Sequence, residues 1–314
     1  MSIDVDFLVE DLIESAKDRS FAPISQSTFQ DADILRIANE EQLRVAAQII
    51  RVREDFFYAR STQTMTAGKD HYLVPKLASG NALKALFWVD SAGNKRLLQR
   101  RDIDRIGEYS TGRGDSESFY FEGDEVVLMN PPSGGDSLLF VFSRRPNRLI
   151  LTEDCAKITS VSSAAGTSTF TVNTDLSADL SATDEVDFIR ATSPFTVWAE
   201  EVAITAITAS TIAVATTDVV DVDGSTVEPA ATDYIAPAGY TNIPMLPIEF
   251  HPVLAQRVAC RMLSSLGDLN KLGAAKMELK EIEDDALAII KNRAESAPER
   301  PSRKRGLIRT FRAW

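Results

Sequence analysis

The chain has 314 residues, room for one large domain or two smaller ones, with 44% hydrophobic and 25% charged residues and a formal net charge of −12. No apolar run reaches the length of a membrane-spanning helix, and the opening "MSIDVDFLVEDLIESAKDRS" is acidic where a secretory signal is basic and then apolar. Cys155 and Cys260 are too few for a disulfide framework and read as two unrelated reduced thiols of a chain made in a reducing cytoplasm.

In chain order, residues 4–19 place Phe7, Leu8, Leu12 and Ile13 at helical spacing. After the break "SFAPISQST", Ser27 or Thr28 is set to cap a long helix running from Phe29 to Arg60. Its core stripe is Leu35, Ala38, Val45, Ile49, Val52 and Phe56, widened by Leu43, Ala46, Ile50 and Phe57. Strand patterns follow. "STQTMTAGKDHYLVP" predicts two short strands about the turn 67–70, and "LKALFWVDSAGNKRLLQ" a hairpin about Gly93-Asn94. "SFYFEGDEVVLMNPP" and "SLLFVFSRRP" predict a third hairpin through "SGGD", with one helical turn in "RDIDRIGEY".

Composition changes at residue 155. Residues 158–239 hold twelve acids against the single base Arg190, so nearly all of the net charge lies there. Alternating β-branched residues such as Phe170-Thr171-Val172 and Ile212-Ala213-Val214 predict short strands, and "STFTVNTDLS" at 168 weakly repeats as "STIAVATTDVV" at 210. Helix returns after residue 240. Pro247 near the first position and Glu249 in the first turn start a helix in which Leu254, Val258, Met262 and Leu266 repeat, and Gly267 is placed to end it. Leu272, Ala275, Leu279, Ile282, Ala286 and Ile289 then give a heptad seam, read as the second arm of a helical hairpin. The fold class is α+β: a helical core of one long helix plus a C-terminal helical hairpin, a small antiparallel sheet and an inserted all-β domain. The divisions fall at 1–154, 155–239, 240–295 and 296–314.

Chemistry is sparse. His71 follows a turn and His251 sits in a first helical turn, so each is explained without catalysis. No HExxH, CxxC pair, phosphate-binding glycine loop or GxSxG occurs. "GRGD" at 112–115 reads as a polar turn, and Asp218, Asp221 and Asp223 as a turn of solvated acids, since an EF-hand's spacing and its final Glu are missing. No catalytic residue, metal ligand or cofactor is assigned. A carboxylate pair of a wall hydrolase stays open, because its separation is spatial. The last nineteen residues set Arg300, Arg303, Lys304, Arg305, Arg309 and Arg312 against Glu299, with Leu307, Ile308, Phe311 and Trp314 among and after them. Such a segment suits ordering on a partner, arginines on acids and aromatics in an apolar groove. A solvated tail and a DNA-binding tail are the alternatives.

The elements "ADILRIANEE", "AGKDHYLVP" and "LPIEFHPVLAQ…LGD", in that order, resemble the head-to-tail adaptor (connector) proteins of tailed bacteriophages over about residues 28–150 and 240–295. The resemblance implies a structural virion protein of the neck, between capsid and tail, and not an enzyme. It implies a homo-oligomeric ring, commonly of twelve subunits, joining the portal to the next tail or neck protein. DNA passes its channel without specific binding, and no membrane is involved. It also assigns portal binding to Arg300, Arg303, Lys304, Arg305, Leu307, Ile308, Arg309, Phe311, Arg312 and Trp314. The insertion at 155–239 departs from the smallest members. The competing reading is a virion binding module whose insertion recognises a tail fibre or a host-surface glycan.

Overall fold

The computed structural model describes residues 7–20, 29–102, 118–129, 132, 134–164, 166–191, 197–219 and 229–292. Helix α1 (Val9–Arg19) buries Val9, Leu12, Ile13 and Ala16 and carries acids in its first turn and bases in its last, matching the helix dipole. Helix α2 (Asp31–Val52) is capped at Gln30, not at Ser27 or Thr28: the Gln30 N–H donates to the Asp33 carboxylate at 3.3 Å. It also stops at Val52, short of Arg60. Arg53 takes extended backbone, Glu54–Phe57 make a 3-10 turn, and the aromatic and β-branched residues beyond gain more from strand pairing. Val52 and Phe56 at this end are exposed, as is Leu43 inside the helix, while Ile34, Ile37, Ala38, Val45, Ala46 and Ile49 are buried.

Helix α3 (His251–Leu266) follows a 3-10 turn at Ile248–Phe250, so Pro247 precedes that turn and Pro252 takes the early helical position where a missing N–H costs nothing. Gly267 ends α3 at φ 75°, left-handed backbone that a side chain would strain. Helix α4 (Leu269–Asn292) packs back on α3 through Leu263, Leu272 and Ala275. One apolar cluster joins all four helices, with Ile13, Ile34, Ile49, Val258, Met262 and Ala286 among its members. The α4 seam closes on Ile290, 4% exposed, and leaves Ile289 at 46%. A helix of 3.6 residues per turn drifts off a strict heptad by that point. Among the described residues no helix is long and apolar enough to cross a membrane.

Between α2 and α3, sixteen strands are present among the described residues, most of them in two β units. Strands β1 (Tyr58–Thr64), β3 (Ala78–Val89), β4 (Lys95–Leu97) and β8 (Ser137–Arg144) form one sheet, in the order β1-β8-β3-β4. Strands β2 (His71–Leu73), β5 (Gln99–Arg100), β6 (Ser118–Glu122) and β7 (Glu125–Leu128) form another, β2-β7-β6-β5. The hairpin about Gly93 is present as β3–β4. Two other pairings differ from expectation. The strands about residues 67–70 do not pair with each other: β1 pairs with β8, and β2 with β7. "SFYFEGDEVVL" is itself the hairpin, turning at Gly123, and β8 joins the other sheet, between β1 and β3. The reason is burial. Leu138, Phe140 and Phe142 are all covered, which suits a central strand, and they share one core with Leu86, Trp88, Val126 and Leu128 of both sheets. The pairing of β5 with β6 is parallel, so the small single antiparallel sheet becomes two sheets with one parallel edge. The helical turn expected in "RDIDRIGEY" and the turn at "GRGD" lie outside the described residues.

The acidic region is a closed six-stranded barrel. Strands β10 (Ala156–Ala164), β11 (Thr167–Val172), β12 (Glu185–Ile189), β13 (Val197–Thr208), β14 (Thr211–Ala215) and β15 (Tyr234–Pro237) run in the order β10-β11-β14-β13-β12-β15, and β15 closes on β10. The two weakly repeated segments are the neighbours β11 and β14, with Phe170 opposite Ile212. Phe170, Phe188 and Trp198 pack as tilted rings, with centroids 5.0 and 5.5 Å apart, in the interior. Closure leaves no sheet edge to protect. The barrel's entry and exit are zipped together: β9 (Arg148–Leu149) pairs in parallel with β16 (Tyr240–Thr241). The chain is thus a mixed α+β protein with four helices among the described residues.

Candidate interaction surfaces

A dense polar constellation lies where β8, the barrel and the helices meet. Arg144, at the end of β8, donates to Glu200 of β13 at 2.8 Å and to the Asn147 side chain at 2.8 Å. Asn147 donates in turn to Asp187 of β12 at 2.7 Å, and Asp187 also accepts the N–H groups of Glu201 and Gly239, each at 2.9 Å. Glu201 adopts φ 52°, a strained value held by that bond. Burial pushes Glu200 up to about 7 despite Arg144, and raises Asp187 as well, because desolvation outweighs the attraction of the cation. Helix α2 grips the same connector. The Asn39 amide exchanges two hydrogen bonds with the Leu149 backbone, at 3.1 and 2.7 Å, and Gln42 donates to the Asn147 carbonyl at 2.8 Å. Glu10 of α1 accepts both the backbone N–H and the hydroxyl of Thr152 at 2.6 Å. These groups set the barrel's orientation. Most of their polar atoms pair with one another, which fits a joint, while Arg144 Nε and Gln42 Oε1 are buried without a hydrogen-bond partner.

A second network ties the helices. The buried Glu41 of α2 takes Arg44 at 2.7 Å and Arg257 and Arg261 of α3 at 3.5 Å each, and Arg257 also meets Glu283 of α4. A groove of about 140 Å³ opens between α1 and the start of α3, lined by Phe7, Leu8, Leu12, Pro244, His251 and Pro252. His251 is buried there with its pKa lowered by desolvation, and its Nε2 lies 3.2 Å from the Leu246 carbonyl. His71 lies by contrast on β2, 3.1 Å from Glu125. Cys155 and Cys260 are separate buried free thiols. Burial raises the pKa of both. Among the described residues no three His, Cys, Asp or Glu side chains cluster as a metal site. Asp218 ends a short 3-10 turn, while Asp221 and Asp223 lie outside the described residues.

The outer face of the α3–α4 hairpin is apolar in part. Leu269 and Met277 are 77% and 72% exposed, the highest values among the large apolar side chains of the described residues, and Leu266 at the end of α3 is 47% exposed. The arm residues Arg300, Arg303, Lys304, Arg305, Leu307, Ile308, Arg309, Phe311, Arg312 and Trp314 lie outside the described residues. The polar joint escaped the sequence reading, because Arg144, Asp187 and Glu200 are far apart along the chain; two adjacent acids, Glu200-Glu201, in an otherwise apolar strand were the only local signal.

The model of the family described as SU10 adaptor protein matches residues 8–165. That span runs from α1 through α2 and both sheets into β10, and stops before the rest of the barrel and before α3 and α4. No curated protein matches the chain.

Proposed function

The chain belongs to the SU10 adaptor protein family, and from that premise we propose that it is a head-to-tail adaptor of a tailed bacteriophage, a ring of twelve copies between the portal and the next tail or neck protein. The family makes it a phage adaptor-type structural protein of the virion, acting against components such as portal or tail proteins. The observation that carries the reading is the extent of the match: it takes in α1, α2 and both four-stranded sheets, not an isolated motif. A ring of identical subunits uses two different patches on each copy. Light scattering of the purified protein, alone and with portal, tests it. A mass near twelve times the 34.5 kDa subunit is expected, and a monomer under both conditions overturns the ring.

In this reading the barrel projects outward, and the channel lacks a strong basic patch, so DNA slides without tight phosphate pairing. Tight, salt-sensitive binding of duplex DNA at physiological ionic strength would overturn that. The basic arm at 296–314 engages the portal. A chain ending at Ser296 is expected to fold, to lose portal attachment and to keep its DNA affinity. The alternative, a binding module for a tail fibre or host-surface glycan, draws on the barrel's closure, its own core and its position largely outside the matched span. Binding of a fibre or glycan by the full chain, lost on removal of the barrel, would favour it.

A further inference from the structure

Helices α2 and α4 each keep a second stripe, opposite the one they bury. On α2, Arg36, Glu40, Leu43, Ala47 and Ile50 follow at alternating steps of four and three. That spacing holds them within about 80° of one another around the helix, about 170° from the centre of its buried side. Leu43 is 47% exposed, Ala47 is exposed and Ile50 is partly covered. On α4, Asn270, Ala274, Met277, Glu281, Asp284 and Ala288 follow the same steps, again within about 80° and roughly opposite the buried side. All six are exposed. Leu269, Lys276 and Lys280 stand to one side of this stripe, and Lys271, Glu278 and Asp285 to the other. Glu281 and Asp284 of α4 and Arg51 of α2 have no ion pair among the described residues. The buried sides of both helices converge on one apolar cluster and on α3, whose Arg257 pairs Glu41 of α2 and Glu283 of α4. The two free stripes therefore point away from the bundle in different directions.

We propose that these stripes are the two halves of one contact between copies of this chain: the α2 stripe of one copy packs on the α4 stripe of the next, with Leu43 against Met277. Two different patches on one chain make a head-to-tail contact, the kind that closes into a ring. The contact rests on the ring reading and names the surfaces that the ring uses. Charge selects a second copy as the occupant. With its borders, the α2 stripe holds Arg36, Arg44 and Arg51 against Asp33 and Glu40, and Glu40 is already held by Arg36 and Arg261. The α4 stripe with its borders holds Glu278, Glu281, Asp284 and Asp285 against Lys280. One surface is net positive and the other net negative, so α2 on α4 is complementary, whereas α4 on α4 sets like charges together. Ala47, Ala274 and Ala288 are small, which lets the two helix axes approach to about 8–10 Å, and steps of four and three are the spacing that two helices crossing at a shallow angle use.

The test uses the full chain carrying Leu43→Cys and Met277→Cys, oxidised with copper phenanthroline under the conditions in which the wild-type oligomer forms and resolved on a denaturing gel. Both native cysteines are buried, and both substituted positions are exposed, so the fold is retained. A ladder of chains linked to one another is expected, with no dimer from either single variant. Glu281→Lys with Asp284→Lys is expected to weaken association about tenfold at low salt, and Arg36→Glu with Arg44→Glu added to the same chain to restore it to within about threefold. Dimers from a single variant would mean a symmetric contact and overturn the proposal, as would a charge reversal without effect or without rescue. An oligomer of ring mass that gives no ladder overturns this contact and leaves the ring standing; a wild-type monomer with and without portal overturns both.

Discussion

The barrel and the α3–α4 hairpin bury their apolar residues in opposite ways. The barrel closes on itself, pairs every strand on both sides and fills its interior with Phe170, Phe188 and Trp198. It can carry nearly all of the chain's net negative charge because its interior needs nothing from a neighbour. Each helix of the hairpin buries one stripe and keeps another side, and on α4 that side holds Leu269 and Met277 in water. The closed unit has its own core and is connected through the polar joint, the β9–β16 pair and an apolar cluster that includes Cys155, Ile189, Val197 and Ile243; the open unit has surface left over. Assembly is therefore expected to run through the helical layer, with the barrel as a rigid projection.

The largest effects should come from the joint. Arg144→Ala leaves Glu200 buried beside Asp187 with no cation and is expected to cost about 3–5 kcal/mol in urea unfolding. An unchanged midpoint would mean that the barrel is held elsewhere. Core truncations come next. Phe188→Ala should cost about 3–5 kcal/mol and Ile49→Ala about 2–5, since both side chains are fully buried. Leu279→Ala should cost less than either, because Leu279 is only partly covered; equal losses for Leu279 and Ile49 would contradict the helical packing.

The pH dependence isolates the joint. Glu200 is raised from 4.5 to about 7 in the fold, so the folded state favours its neutral form. Its stabilising contribution is fully present below about pH 4.5 and disappears as pH rises through about 7, a loss of about 3 kcal/mol. Asp187, also raised, acts in the same direction. Glu200→Gln should flatten the change in unfolding midpoint between pH 5 and 8; a slope identical to wild type would assign it to other groups. The smallest contrast compares two glycines. Gly273→Ala should stabilise the subunit by about 0.5–1 kcal/mol, as its Cβ position is open and helical. Gly166→Ala in the barrel, at φ 82°, should destabilise by at least as much. Thermal melts of the two variants moving in the same direction would break the comparison.

The sequence by itself determined the helices, the change of composition at the barrel and the chemistry of the arm. Helix periodicity, the capping glycine at 267 and alternation in β11 and β14 are local, written within a few residues. Only the tertiary structure decided which strands pair, because β8 is chosen by the burial of Phe140 between two strands distant in the chain. It decided that Ile290, not Ile289, closes the seam, since the register depends on where α3 lies. It brought Arg144, Asn147, Asp187 and Glu200 together, although they span 57 positions of sequence. Leu269 and Met277 illustrate the limit most simply. The heptad pattern already leaves them off the seam of Leu272 and Ala275, but only the packing of α3 against that seam shows how far they are left in water, 77% and 72% exposed.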